Sequence, residues 1–179
     1  MSYDAPQPPA GPPAQPPNAG GKPGGSFDPS SVNPLDWAIL GVGLLVFIFS
    51  FVDYYSWDFM GISVGWNAWH FDHGLFLAWL AMVVTVIGAL VLAVGLFVPT
   101  VNLPSSPRVL SVLGFAIGFV LYIIAIFAHD DFGPGGGHGF GFWLSLVLAA
   151  VGGVLAVMRA QQTNTALPAP FNSIPRIGS

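Results

Sequence analysis

Residues 53–73 read DYYSWDFMGISVGWNAWHFDH, a polar and aromatic stretch set between two apolar runs. It holds three of the six Trp, two of the four His and three of the eight acidic residues. Residues 35–52 before it (LDWAILGVGLLVFIFSFV) carry one charge, Asp36, and residues 74–98 after it carry none. At 1.5 Å per residue, 18 apolar residues just cross a hydrocarbon core of roughly 30 Å. The reading is therefore a loop joining two transmembrane helices.

Two more apolar runs follow. Residues 109–128 stop at His129-Asp130-Asp131, and residues 141–158 stop before Arg159. The composition agrees, with 54% hydrophobic and only 7% charged residues and a mean hydropathy of +0.71, against roughly 25% charged in an average soluble domain. The fold class expected is an all-α integral membrane protein, an up-down-up-down four-helix transmembrane bundle over residues 35–158. Gly114-x-x-x-Gly118, Ala149-x-x-x-Gly153 and Gly152-x-x-x-Ala156 supply flat faces for its helices. In lipid, close van der Waals approach replaces the hydrophobic drive between helices. These faces are expected to pack within the chain first and to form a dimer face second.

Residues 1–34 hold ten Pro and no apolar stretch, so they are read as a disordered tail with polyproline II character. Such a tail is a flexible spacer or a docking segment for a polyproline-binding cytoplasmic partner. Residues 159–179 are read as a second, polar, Pro-broken tail.

Charge sets the expected orientation. The only cations are Lys22, Arg108, Arg159 and Arg176, and with four spans they all fall on one side. The positive-inside rule makes that side cytoplasmic, giving a multi-pass plasma-membrane protein with both termini inside. Loops 53–73 and 129–140 then face out, with all four His, five Asp and no Lys or Arg. A net charge of −4 leaves no basic surface for nucleic acid. The absence of cysteine removes disulfides, thiolate metal sites and cysteine nucleophiles.

Between the two interfaces the polar residues are Ser50, Thr85, Ser111, Tyr122 and Ser145, none of them ionised at neutral pH. Pumps, proton-coupled carriers and voltage sensors need ionisable groups at depth. A carrier, a channel or an enzyme working at mid-membrane is disfavoured accordingly.

The outer loops are where chemistry is expected to concentrate. His70 and His73 stand three residues apart, and His129, His138, Asp72 and Asp130 lie in the same pair of loops. Imidazoles and carboxylates from the start of the second span and the end of the third would hold a divalent metal or sense pH. Read more simply, they are polar residues of loops that leave the membrane. Haem is unlike this arrangement, since its ligands would sit at the membrane edge and not inside the helices, and no other cofactor fingerprint is present. Tyr54, Tyr55, Trp57, Trp66, Trp69 and Trp143 map to the same boundary. They form an interfacial aromatic belt or an outer recognition surface. Gly61, Gly65 and the alternation Ile62-Ser63-Val64 suit a short hairpin lying on the bundle.

The segments SFVDYYSW (50–57), GISVGWNAW (61–69), FLAWLAM (76–82) and GFGFWLSL (139–146) give the chain a family likeness. It resembles a group of uncharacterised actinobacterial membrane proteins with a Pro-rich N-terminal tail, four spans and a Trp- and Tyr-containing first outer loop. That resemblance implies the topology and a plasma-membrane location. It implies no reaction, cofactor or catalytic residue.

The function expected is non-enzymatic: an accessory or scaffold protein acting through contacts with other membrane proteins, such as a small subunit of a larger envelope or respiratory complex. The alternative is an extracytoplasmic metal-binding or pH-sensing protein built on the His and Asp residues above.

Overall fold

The computed structural model describes residues 29–70, 76–98, 100–128 and 135–176. Four helices dominate: α1 (Pro34–Phe49), α2 (Phe76–Phe97), α3 (Pro107–Phe127) and α4 (Phe140–Gln162). Three short strands, β1 (Tyr55–Phe59), β2 (Ile62–Trp66) and β3 (Gly136–His138), form a sheet ordered β2-β1-β3. Helices α2, α3 and α4 are each long and apolar enough to cross a membrane, whereas α1 is a shorter apolar helix. The protein is therefore mostly helical, with membrane-spanning character, and carries a small sheet that an all-α reading omits.

Local chemistry sets the helix ends. Asn33 caps α1 by accepting the Leu35 N–H at 2.9 Å, and Pro34 opens its first turn, where a missing N–H costs nothing. The helix stops at Phe49, three residues before the end of its apolar run, where the chain tightens to i→i−3 bonds from Phe51 to Ile48 at 3.2 Å and from Val52 to Phe49 at 3.1 Å, and the Ser50 hydroxyl donates to the Phe47 carbonyl at 2.6 Å. Residue 50 is also tied to the sheet's exit: Trp69 Nε1 donates to Ser50 Oγ at 3.0 Å and the Ala68 N–H donates to the Ser50 carbonyl at 3.0 Å. At the other end of the chain, α4 runs four residues past Met158 to Gln162. The segment after it is not a free tail. Leu167 and Phe171 pack on the apolar core, and Gln161 donates to the carbonyls of Ile174 and Pro175 at 3.2 Å.

The helices form a closed ring in which each packs on the next and α4 returns to α1. The closest approach is α2 on α3, where Gly88 and Gly114 face each other and a Cβ on Gly114 would stand 2.5 Å from the Gly88 Cα. Gly118 meets Thr85 and Ala81 on α2, and Gly152 of α4 receives the ring of Phe115. The expected small-residue motifs are thus used within the chain. The polar residues Ser50, Thr85, Ser111, Tyr122 and Ser145 are all buried inside the ring, while Leu44, Ile87, Leu90, Ile117, Val120 and Val154 lie exposed on its outside. An apolar exterior around a polar-seeded interior is the distribution expected of helices solvated by lipid.

Candidate functional site

The two ends of the ring are chemically distinct. At one end Asp36, in the first turn of α1, is 1% exposed. Arg159, in the last turn of α4, donates Nε to both carboxylate oxygens at 3.0 Å, and its terminal nitrogen lies 3.0 Å from Oδ2. Arg108, in the first turn of α3, reaches the same oxygen at 3.8 Å. A carboxylate at a helix N-terminus is favoured by the helix dipole, and two guanidiniums supply the partners that burial otherwise removes. In the sequence these three residues stand out only as charges at the boundaries of apolar runs. The available signal was one carboxylate and two Arg at the same end of neighbouring helices.

At the other end sits the sheet. The β1–β2 hairpin turns through Met60 (φ 48°) and Gly61 (φ 81°), the pair of positive φ values that a two-residue primed turn needs. This matches the short hairpin expected around Gly61, Ile62-Ser63-Val64 and Gly65. The third strand was not foreseen. β3 pairs antiparallel with β1, setting Tyr55 against His138 and Trp57 against Gly136. It joins the two loops into one cap.

Beneath the cap is a buried hydroxyl cluster. Tyr54 donates to Ser145 Oγ at 2.7 Å on α4, and its oxygen lies 2.9 Å from that of Tyr122 on α3. Since the single Tyr54 proton goes to Ser145, Tyr122 is the donor in the second bond. Phe142, fully buried, packs among Tyr54, Tyr55, Tyr122 and His138 with ring centroids 4.1–6.5 Å apart. Burial pushes the phenols of Tyr54 and Tyr55 above their ordinary value, so both stay protonated.

The aromatic set therefore divides. Tyr54 and Tyr55 are 0% and 2% exposed, which corrects their assignment to an outer recognition surface: their rings point into the helix ring as plugs. Trp57 and Trp66 are half-buried under the sheet, and Trp69 and Trp143 are exposed. Trp69 stacks on Phe51 with centroids 5.8 Å apart.

Of the metal candidates, His70 is exposed and shares a 3.0 Å hydrogen bond with Asn67. His138 is half-buried in β3, 4.1 Å from the Phe142 ring centroid. His73, His129, Asp72 and Asp130 lie outside the described residues. Among the described residues no three His, Asp, Glu or Cys side chains form a group that could hold a metal. Comparisons with protein-family profiles, with curated proteins and with solved structures find no match.

Proposed function

We propose that this is a four-span membrane protein of the plasma membrane, with both termini cytoplasmic, which acts without catalysis as an accessory or scaffold subunit. Four spans are supported by the ends of α1. Asp36 is bonded to the last turn of α4 and Tyr54 to its sixth residue, Ser145. The first helix and its continuation thus cover the same height as the fourth, despite being 16 residues long. The orientation rests on the cations Arg108, Arg159 and Arg176 gathering at the Asp36 end, opposite a cap whose loops contain none.

The observation that carries the contact reading is the exposure of apolar residues on the cap: Met60 at 88%, Ile62 at 64% and Val64 at 38%. A loop in water gains nothing from presenting these side chains, whereas a docking surface uses them. Below the cap, Tyr54, Tyr122 and Ser145 are joined by hydroxyl bonds and Asp36 is held by ion pairs, as befits a rigid support. Mild solubilisation from native membranes after crosslinking is expected to yield this chain in a defined larger complex. Recovery of the chain alone would contradict the proposal.

A further inference from the structure

Among the described residues, the order β2-β1-β3 leaves the far side of β2 unpaired. Its sequence, ISVGW, has no charge and no Pro, the two devices by which edge strands usually prevent another strand from adding. The register fixes what that edge offers. In a two-residue hairpin the residues flanking the turn exchange both hydrogen bonds, so the bonded pairs are Phe59 with Ile62, Trp57 with Val64 and Tyr55 with Trp66. The opposite side of β1 agrees, since the Asp58 N–H donates to Gly135 and the Tyr54 carbonyl accepts from Gly139. Ser63 and Gly65 therefore turn their N–H and C=O groups to the open edge.

Those two residues also share a face with the cap's carboxylates. Asp58, exposed, stands directly across from Ser63. The carboxylate of Asp53 occupies the space that a Cβ on Gly65 would enter. The other face, with Tyr55, Val64 and Trp66, turns toward the helices, and Ile62 and Val64 remain exposed at its rim. The edge is thus acidic at alternate positions on its outer face and apolar at the positions between them.

Resting on the contact reading above, we propose that the β2 edge binds an extended segment of a partner protein. The segment adds as a fourth strand, with basic residues at alternate positions facing Asp53 and Asp58 and apolar residues between them beside Ile62 and Val64. A second copy of this chain is the less suitable occupant. Two-fold pairing of β2 on itself would bring two pairs of carboxylates together with no cation in either cap loop. The chain's own start, with ten Pro in 34 residues, lacks the run of N–H groups a strand requires.

The test uses the full chain in lipid nanodiscs and three blocked peptides: TKVKVT, TEVEVT and a TKVKVT methylated at its four central backbone nitrogens. TKVKVT is expected to bind, to slow amide exchange at Ser63 and Gly65, and to bind about ten-fold more tightly than TEVEVT, as two exposed ion pairs allow. The methylated peptide, which has no central N–H to give in either strand direction, is expected not to bind. Ser63→Pro removes an outward N–H and is expected to abolish binding. Asp53→Asn with Asp58→Asn, which leaves the backbone untouched, is expected to erase the preference for Lys over Glu. Equal affinity for TKVKVT and TEVEVT in the unaltered chain, or binding without slowed exchange at Ser63 and Gly65, would overturn the proposal. Photocrosslinking in native membranes separates it from the broader reading. Adducts from a probe at Trp143 but not at Ile62 would overturn strand addition alone, and adducts from neither would remove both.

Discussion

Asp36→Asn is expected to lower the stability of the detergent-solubilised protein by about 3–5 kcal/mol, the usual result of removing one partner of a buried ion pair. The carboxylate is 1% exposed and is held by Arg159 through contacts of 3.0 Å and by Arg108 at 3.8 Å. The neutral amide would leave Arg159, which is 15% exposed, without its counter-charge. Replacing both members tests the cause. Asp36→Leu combined with Arg159→Met removes the charge and its partner together, and buried pairs exchanged for apolar residues of similar size are often neutral or better. The double variant is expected within about 1 kcal/mol of the unaltered protein. Thermal unfolding of the single and double variants decides the matter. A single variant as stable as the parent would show that the ion pair does not join α1 to α4.

Gly114→Val is expected to cost about 3 kcal/mol, at the upper end of overpacking effects. The obstacle is backbone and not a side chain that could rotate away. A Cβ at residue 114 stands 2.5 Å from the Gly88 Cα and 3.0 Å from its nitrogen, so α2 and α3 must separate. Separation would also withdraw Thr85 and Ala81 from Gly118 one turn further along. Gly41→Ala is the contrasting case. No atom lies within 4 Å of a Cβ at Gly41, and alanine is the better helix former. That change is expected to leave unfolding unaltered or raise its midpoint. Equal effects at the two positions would mean that helix propensity, and not the α2–α3 crossing, governs the response.

The four apolar runs and a hairpin around Gly61, Ile62-Ser63-Val64 and Gly65 were legible in the sequence because both are local patterns. A run of apolar residues and a turn flanked by alternating Ile62-Ser63-Val64 need no distant partner to be recognised. The end of α1 was less legible. Hydropathy continues through Phe51 and Val52, and the stop at Phe49 comes with a change to i→i−3 bonds and with the ties of Ser50 to Ala68 and Trp69. β3 carried no strand signal, since two of its three residues are Gly, and it forms because β1 offers it an edge. Tyr54 and Tyr55 look the same in sequence whether they face lipid headgroups or the interior. Their burial depends on Phe142, Tyr122 and Ser145, which lie 67–91 residues away. The ion cluster at Asp36 was hidden for a similar reason: each charge stood at the end of an apolar run, where a boundary residue is expected. Long-range placement, not residue type, separated the readings that held from those that were revised.

The proposed topology puts the sheet cap and the Asp36 end on opposite sides of a membrane crossed four times. The chain contains no cysteine, so a single introduced thiol reports its own location. Ser63→Cys in the cap and Thr165→Cys beyond α4 would each be exposed in intact cells to a maleimide that cannot cross the membrane. The expected result is labelling of Ser63→Cys at once and of Thr165→Cys only after the membrane is opened. Labelling of both, or of Thr165→Cys alone, in intact cells would contradict the topology on which the account rests.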